Sequence, residues 1–173
     1  MERSMTYSSA IFKSADEGLL LAQENKYENI LTKLKLNEGD HILEVGCGWG
    51  GFLEYAARKG VKVTGVTISK EQYEFAKKRL SQYEGIAEVM LKDYREITGE
   101  YNHIVSIEMF EHMRNYGELL KRVSGWLKKD GKFFVHIFSH KEIAYPFEDQ
   151  DEGDWMAREF FSGGQMPSHR HLT

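Results

Sequence analysis

The stretch Ile42-Leu43-Glu44-Val45-Gly46-Cys47-Gly48-Trp49-Gly50-Gly51 constrains this chain more than any other segment, because an apolar run meets an acid and then a glycine-dense turn. It reads as a strand that runs through a turn into a helix. Glycine takes positive φ readily and has no Cβ to hold a ligand off the backbone, and a helix start offers unpaired N–H groups. The segment therefore predicts a cofactor seat. Gly46, Gly48 and Gly51 also satisfy G-x-G-x-x-G, a spacing that dinucleotide folds share. Those folds close their second strand with an acid, about 20 residues on, to hold ribose hydroxyls. Here the second candidate strand, Val61 to Val66, runs into Thr67 and Ile68. Glu44 instead ends the first strand, where a carboxylate can face the cationic amino group of a bound ligand. Nicotinamide binding is the weaker reading, although fold alone does not exclude it.

At 173 residues the chain amounts to about one domain with a real core. Its 23 basic and 27 acidic residues give a net charge of −4 with no basic stripe, which argues against a nucleic-acid partner. Cys47 is the single cysteine, so an internal disulfide is excluded and a reducing, cytoplasmic compartment fits. There is no signal peptide, and no run approaches the roughly 18–20 apolar residues of a membrane span. The expectation is a soluble chain whose only lipid contact is peripheral.

Strands and helices alternate from residue 15 to 138, the signature of a parallel sheet covered by helices on both faces. Ser14-Ala15-Asp16-Glu17 reads as a capping box for a helix running to about Leu36, with Leu20, Tyr27, Leu31 and Leu34 at helical spacing. Strand one is expected over 41–45, helix two over 51–59 with Gly60 as its stop, and strand two over 61–66. Ser69-Lys70-Glu71-Gln72 reads as a second capping box, strand three as about 86–91 and strand four as 102–107. The next helix would turn Leu119, Leu120, Val123, Trp126 and Leu127 inward, with Lys128 and Lys129 at its C-terminal dipole. Asp130-Gly131 then turns into strand five, 132–138, which is apolar on both faces and expects cover and a neighbour. No further strand is legible. The fold class is α/β and Rossmann-like, with the order 3-2-1-4-5 and a C-terminal side that reads as truncated. A bare edge at strand five invites a partner chain, so a homo-oligomer through that edge is possible.

Several segments occur in an order that resembles one family. They are Met5-Thr6-Tyr7-Ser8-Ser9, the turn from Glu44 to Gly51, Gly65-Val66-Thr67-Ile68-Ser69-Lys70-Glu71-Gln72, Lys92-Asp93-Tyr94-Arg95 and Met109-Phe110-Glu111-His112. The set resembles the cyclopropane-fatty-acid synthase family of class I S-adenosyl-L-methionine-dependent methyltransferases. Ser106-Ile107-Glu108-Met109-Phe110-Glu111-His112-Met113, with Phe134-Val135-His136 and Ser139-His140-Lys141, is closer to its coclaurine N-methyltransferase-like branch. The resemblance implies that Tyr7 and Ser8 close over the methionine end of the cofactor. Glu44, Gly46 and Gly48 would line that end, Thr67 and Gln72 would contact the ribose region, and Asp93 would accept from the adenine amino group beside Tyr94. Gln72 also fits as the last member of its capping box, Asp93 as a turn residue, and Tyr7 and Ser8 as disordered residues near the chain start.

Glu108, Glu111 and His112 follow strand four, at the carboxyl edge where open α/β sheets bind ligands. If the turn is helical, their spacing puts all three on one face. The resemblance implies that Glu111 and His112 position an acceptor amine and take its proton, with Glu108 assisting; the plain alternative is an acid pair at a helix start. His136 stands where cyclopropane synthases carry a histidine that helps to hold a bicarbonate base, or is simply a histidine satisfied within its strand. Those enzymes carry a cysteine at the position of Ser9 and typically a glycine at that of Glu108, which weakens cyclopropanation here. No histidine pattern suggests a metal site, and Cys47 reads as a packed small residue.

The resulting expectation is a cofactor-closing segment over 1–15, an S-adenosylmethionine-binding core over 16–140 and the start of an acceptor region over 141–173. The expected activity is methyl transfer to a small acceptor, preferably an amine nitrogen. Two rivals stand beside it: modification of the unsaturated acyl chains of a lipid, and a cofactor-binding domain inactive on its own.

Overall fold

The structure is a computed structural model that describes residues 2–149 and 155–171. Helix α1 (Leu19–Leu34) precedes β1 (His41–Val45). The chain then runs through α2 (Gly51–Arg58), β2 (Lys62–Thr67), α3 (Lys70–Leu80), β3 (Ala87–Leu91), β4 (Tyr101–Ile107), α4 (Tyr116–Trp126) and β5 (Leu127–His136). The five strands form one parallel sheet, as the alternation of elements predicts, and its order is the expected β3-β2-β1-β4-β5. Central β1 is buried on both faces because its neighbours send side chains alternately to two cores. Ile42, Val63 and Val105 meet Tyr27, Ile30, Leu34, Phe52, Leu53 and Leu80 of α1, α2 and α3. Leu43, Val45, Val66 and Ile104 meet Leu119, Val123 and Trp126 of α4. Each fully buried aliphatic side chain contributes about 1.5–3 kcal/mol, so these two layers rather than the helix caps hold the sheet.

The departures from expectation are local. Ser14 does not start α1. The helix begins after an extended Gly18 that makes no side-chain cap, while Glu17 accepts from the Lys13 N–H and the Asn25 side chain, which holds 13–17 as a turn. Ser69 does cap α3, accepting from the Gln72 N–H at 3.3 Å, but the Gln72 amide oxygen turns away to accept from the Thr67 hydroxyl at 2.8 Å. Leu120 is exposed on α4. Lys128 and Lys129 already belong to β5, which passes through Asp130 at φ 65° as its register against β4 shifts. Beyond β5 the chain adds two-residue strands β6 (Tyr145–Pro146) and β7 (Gln165–Met166), paired antiparallel, with α5 (Trp155–Glu159) between them. Strands that short leave no alternating pattern to read. Of the region 141–173, residues 150–154 and 172–173 lie outside the described residues. Strand β5 pairs with β4 alone among the described residues, and its apolar residues Phe133, Phe134 and Val135 stay only partly buried. No helix among them is long and apolar enough to cross a membrane.

Candidate active site

A cavity of about 490 Å³ opens at the carboxyl ends of β1, β2 and β4. Tyr7, Gly46, Gly48, Thr67, Gln72, Asp93, Tyr94, Glu108 and His112 all line it. A smaller adjoining recess takes in Ser8 and Glu44 with the same two glycines and Glu108. Glu44 is buried, and its Oε2 has no hydrogen-bond partner among the described residues. Burial pushes its carboxyl up to about 8, partly offset by the charge of Lys26. An unpaired buried carboxylate is costly, so this group is poised for a cation. Gly46 has φ 80°, and a Cβ there would lie 2.7 Å from the Met109 side chain, so only glycine gives the turn this close approach. Asp93 lines the cavity while the Arg95 guanidinium and N–H hold its carboxyl below the usual range. The thiol of Cys47 is buried and pushed up, as befits a packed side chain.

The N-terminal segment crosses the glycine turn and is fixed at both ends. The Arg79 guanidinium donates to the carbonyls of Arg3, Ser4 and Trp49 at 2.6, 2.7 and 2.9 Å. Thr6 hydrogen-bonds to Tyr27. Gln23 Nε2 donates to the Ser8 carbonyl at 2.8 Å, and Lys26 Nζ donates to Ser8 Oγ at 2.7 Å and the Ser9 carbonyl at 3.0 Å.

The acidic cluster does not share one helical face. Strand β4 ends at Ile107, and Glu108 follows at φ 48° with its N–H donating to the His136 carbonyl at 2.7 Å; only then does a 3₁₀ turn span Phe110–His112. That left-handed backbone favours glycine. Three directions result. Glu108 Oε1 lies 3.5 Å from His136 Nδ1, and His136 Nε2 lies 3.4 Å from Ser9 Oγ. Glu111 is fully buried, its Oε1 accepts from the Phe138 N–H at 3.0 Å, and its Oε2 has no partner among the described residues. Burial, with the charge of Glu108 adding, pushes the Glu111 carboxyl up to about 7. His112 lies on the cavity wall, its ring 4.9 Å from that of Phe161, and the surrounding protein lowers its pKa. Burial lowers that of His136 too, with Lys26 adding.

These residues form a cavity with the buried carboxyl of Glu44 in its adjoining recess and Glu108 on its wall; Glu111 and His136 are not among the residues that line it. The profile of the mycolic acid cyclopropane synthetase family matches residues 1–173. The chain belongs to that family. Within the mycolic acid cyclopropane synthetase family and its relatives, the cyclopropane-fatty-acyl-phospholipid synthase of Escherichia coli (strain K12) is 38% identical, over 98% of this chain and 43% of its own. The pavine N-methyltransferase of Thalictrum flavum is 36% identical, over 95% and 48%. A crystal structure of coclaurine N-methyltransferase bound to N-methylheliamine and SAH superposes with a TM-score of 0.87 at 30% identity, over 98% of this chain and 53% of that one. The chain thus spans about half the length of these relatives. The sheet and helices are those of the class I methyltransferase fold, and family membership assigns S-adenosylmethionine as the cofactor. The residues present fit it: a buried carboxylate oxygen without a partner and a glycine wall open onto the same space.

Sequence reasoning missed the residues that hold this geometry. Lys26 carried a signal, since Ala22, Lys26 and Ile30 recur every four residues and so put a lysine on the buried stripe of α1. Arg114 and Gly164 carried none. The Arg114 guanidinium donates to the carbonyls of Phe147 and Gly164, and a Cβ on Gly164 would sit 2.0 Å from the Glu111 carbonyl oxygen. Both contacts join segments far apart in sequence.

Proposed function

We propose that this chain carries the cofactor site and the acceptor-facing edge of a methyltransferase acting on an amine nitrogen. The observation that carries this reading is the carboxylate set that follows β4: Glu108 and His112 line the cavity, and Glu111 between them in sequence is buried with one carboxyl oxygen lacking a partner among the described residues, its pKa raised to about 7. A protonated amine must lose its proton before its lone pair can attack, and a general base works best with a pKa near the working pH. Bound S-adenosylmethionine supplies the electrophilic methyl group on a sulfonium. This chain's residues then do the rest. Glu44 and the Gly46 and Gly48 backbone hold the amino-acid end, and Thr67, Gln72, Asp93 and Tyr94 orient the nucleoside, with Tyr7 and Ser8 above. Glu108 attracts the ammonium, and Glu111 with His112 takes its proton as the nitrogen–carbon bond forms and the sulfur–carbon bond breaks.

The test incubates the chain with methyl-labelled S-adenosylmethionine and a panel of secondary and tertiary amines. Label is expected in the amines. Glu111→Ala should lower turnover by about 10²–10⁴, the usual weight of a general base, while the affinity for S-adenosylhomocysteine changes little. An unchanged rate in that variant removes the base assignment.

The 38% identity to a phospholipid synthase supports a second reading, transfer to an unsaturated acyl chain. His136 lies within reach of Glu108 and Ser9. Cyclopropane or branched chains in the lipids of an expressing host would favour this reading over the amine. We further infer a cytoplasmic location from the single buried thiol, a small-molecule or lipid acceptor met at most peripherally at a membrane, and self-association through the edge of β5 that has no strand partner among the described residues. Segments 1–15, 16–140 and 141–173 are our divisions into closing strap, cofactor core and acceptor region. A binding domain without activity of its own is the outcome if cofactor binds but no acceptor is methylated.

A further inference from the structure

Lys26 is 1% exposed, yet it lies between the two halves of the site. Its hydrogen bonds go to Ser8 and Ser9, not to a carboxylate. Its charge acts through space on Glu44 at the end of β1, on Glu108 after β4 and on Glu2 of the N-terminal segment, while His136 of β5 feels it with the opposite sign. The Tyr27 ring centroid lies 5.5 Å from Nζ. Burial pulls the ammonium down to about 8, partly offset by Glu108, Glu44 and Glu2, and a lysine here has no packing advantage over a methionine of similar length. Something other than core stability accounts for it. Ser8 borders the recess at Glu44, whereas Ser9 reaches His136 and stands against the Glu108 carboxyl. The segment that Lys26 grips therefore touches the cofactor side with one residue and the acceptor side with the next.

We propose that Lys26 is a positioning residue for methyl transfer. It holds Ser8 and Ser9 between the cofactor and the acceptor and places a buried positive charge against that segment. The proposal rests on the assignment of the cavity to S-adenosylmethionine. Two consequences separate it from a purely structural lysine. Without the ammonium, Glu44 ionises only at higher pH, so the loss of cofactor affinity depends on pH. Without its hydrogen bonds, Ser8 and Ser9 loosen even in the ligand-free chain.

The experiment measures S-adenosylhomocysteine affinity by calorimetry from pH 6.5 to 9 in the wild type, Lys26→Met and Lys26→Arg. Amide hydrogen exchange over residues 5–10 is followed in the ligand-free forms. Each pH unit by which the ionisation of Glu44 moves up costs tenfold in affinity below that pH, so Lys26→Met should bind about tenfold more weakly at pH 7 and approach the wild type at pH 9. Its exchange at 5–10 should speed up, whereas Lys26→Arg, which stays charged through pH 9 while Lys26 itself gives up its proton near 8, should match the wild type at pH 6.5–7. A loss of the same factor at every pH, or none, overturns the electrostatic role, and unchanged exchange overturns the clamp. Should Lys26→Met fail to fold by circular dichroism, Lys26→Gln, which keeps a donor without the charge, is judged by the same slope. A wild type that does not bind S-adenosylhomocysteine defeats the cofactor assignment instead, and the exchange data then decide the clamp by themselves.

Discussion

Glu111 shows how a reactive carboxyl is set chiefly by burial, with the Glu108 charge adding and the Phe138 N–H opposing. Its folded pKa of about 7 lies above the unfolded value of 4.5, so the unfolded chain ionises first as pH rises. The stability contributed by the protonated form is complete below about pH 4.5 and is lost as pH climbs through about 7. Glutamine keeps an acceptor for the Phe138 N–H but never ionises. Between pH 4.5 and 8 the stability difference between Glu111→Gln and wild type should therefore swing by about 1–3 kcal/mol in favour of the variant, at about 1.4 kcal/mol for each pH unit that separates folded from unfolded ionisation. Urea unfolding at the two pH values measures it, and a gap that does not change with pH would mean that Glu111 ionises freely. The same variant should lose methyl transfer, which would mark the group as one kept for chemistry at a cost to stability. His112 and Glu108 were legible as candidates from the sequence, but their directions were not. The expected shared face fails because Glu108 adopts a left-handed backbone before the 3₁₀ turn begins, and no local pattern announces that choice.

At the scale of elements, the strand–turn–helix around Gly46 depends on its neighbour β2. Gly65 pairs with Glu44 in register, and a Cβ on it would lie 2.5 Å from Leu53 Cδ1 of α2 and 2.8 Å from Cys47 Cβ in the turn. Gly65→Ala should push α2 and the turn off the sheet, costing about 1–3 kcal/mol by overpacking and weakening S-adenosylhomocysteine binding together with stability. A melting temperature within a degree of the wild type would mean that the turn yields at no cost. Strands β1, β2 and β4 were legible because both faces are buried and their apolar runs are bounded by turn residues. The start of α1 was misread because Ser14 and Glu17 satisfy the capping pattern but spend their side chains on the turn and on Asn25. The short strands β6 and β7 depend on pairing across 20 residues of chain, and that information is tertiary.

For the molecule as a whole, the parallel sheet follows from the alternation of strands and helices and its order from the resemblance to class I methyltransferases, and an open sheet of this kind offers its carboxyl edge to a ligand, where the cavity lies. How the site is closed was not legible, because closure comes from long-range contacts: Arg79 on the N-terminal strap, Lys26 on Ser8 and Ser9, and Phe161 on His112. If those contacts already assemble the cofactor seat in this chain, the seat should bind ligand without any further segment. Ligand at 100 times its dissociation constant adds about 2.7 kcal/mol, and each kcal/mol moves the midpoint of a domain this size by roughly 2–4 °C. S-Adenosylhomocysteine should then raise the thermal midpoint by about 5–11 °C. NADH should not, because Thr67 stands where a nicotinamide fold needs an acid and its hydroxyl is engaged by Gln72. A shift with NADH alone would reverse the reading of the glycine turn. A shift with neither would defeat the assignment of the cavity to S-adenosylmethionine, whereas a shift that appears only once the half-buried edge at β5 is covered would make that cover a condition of cofactor binding and not only of catalysis.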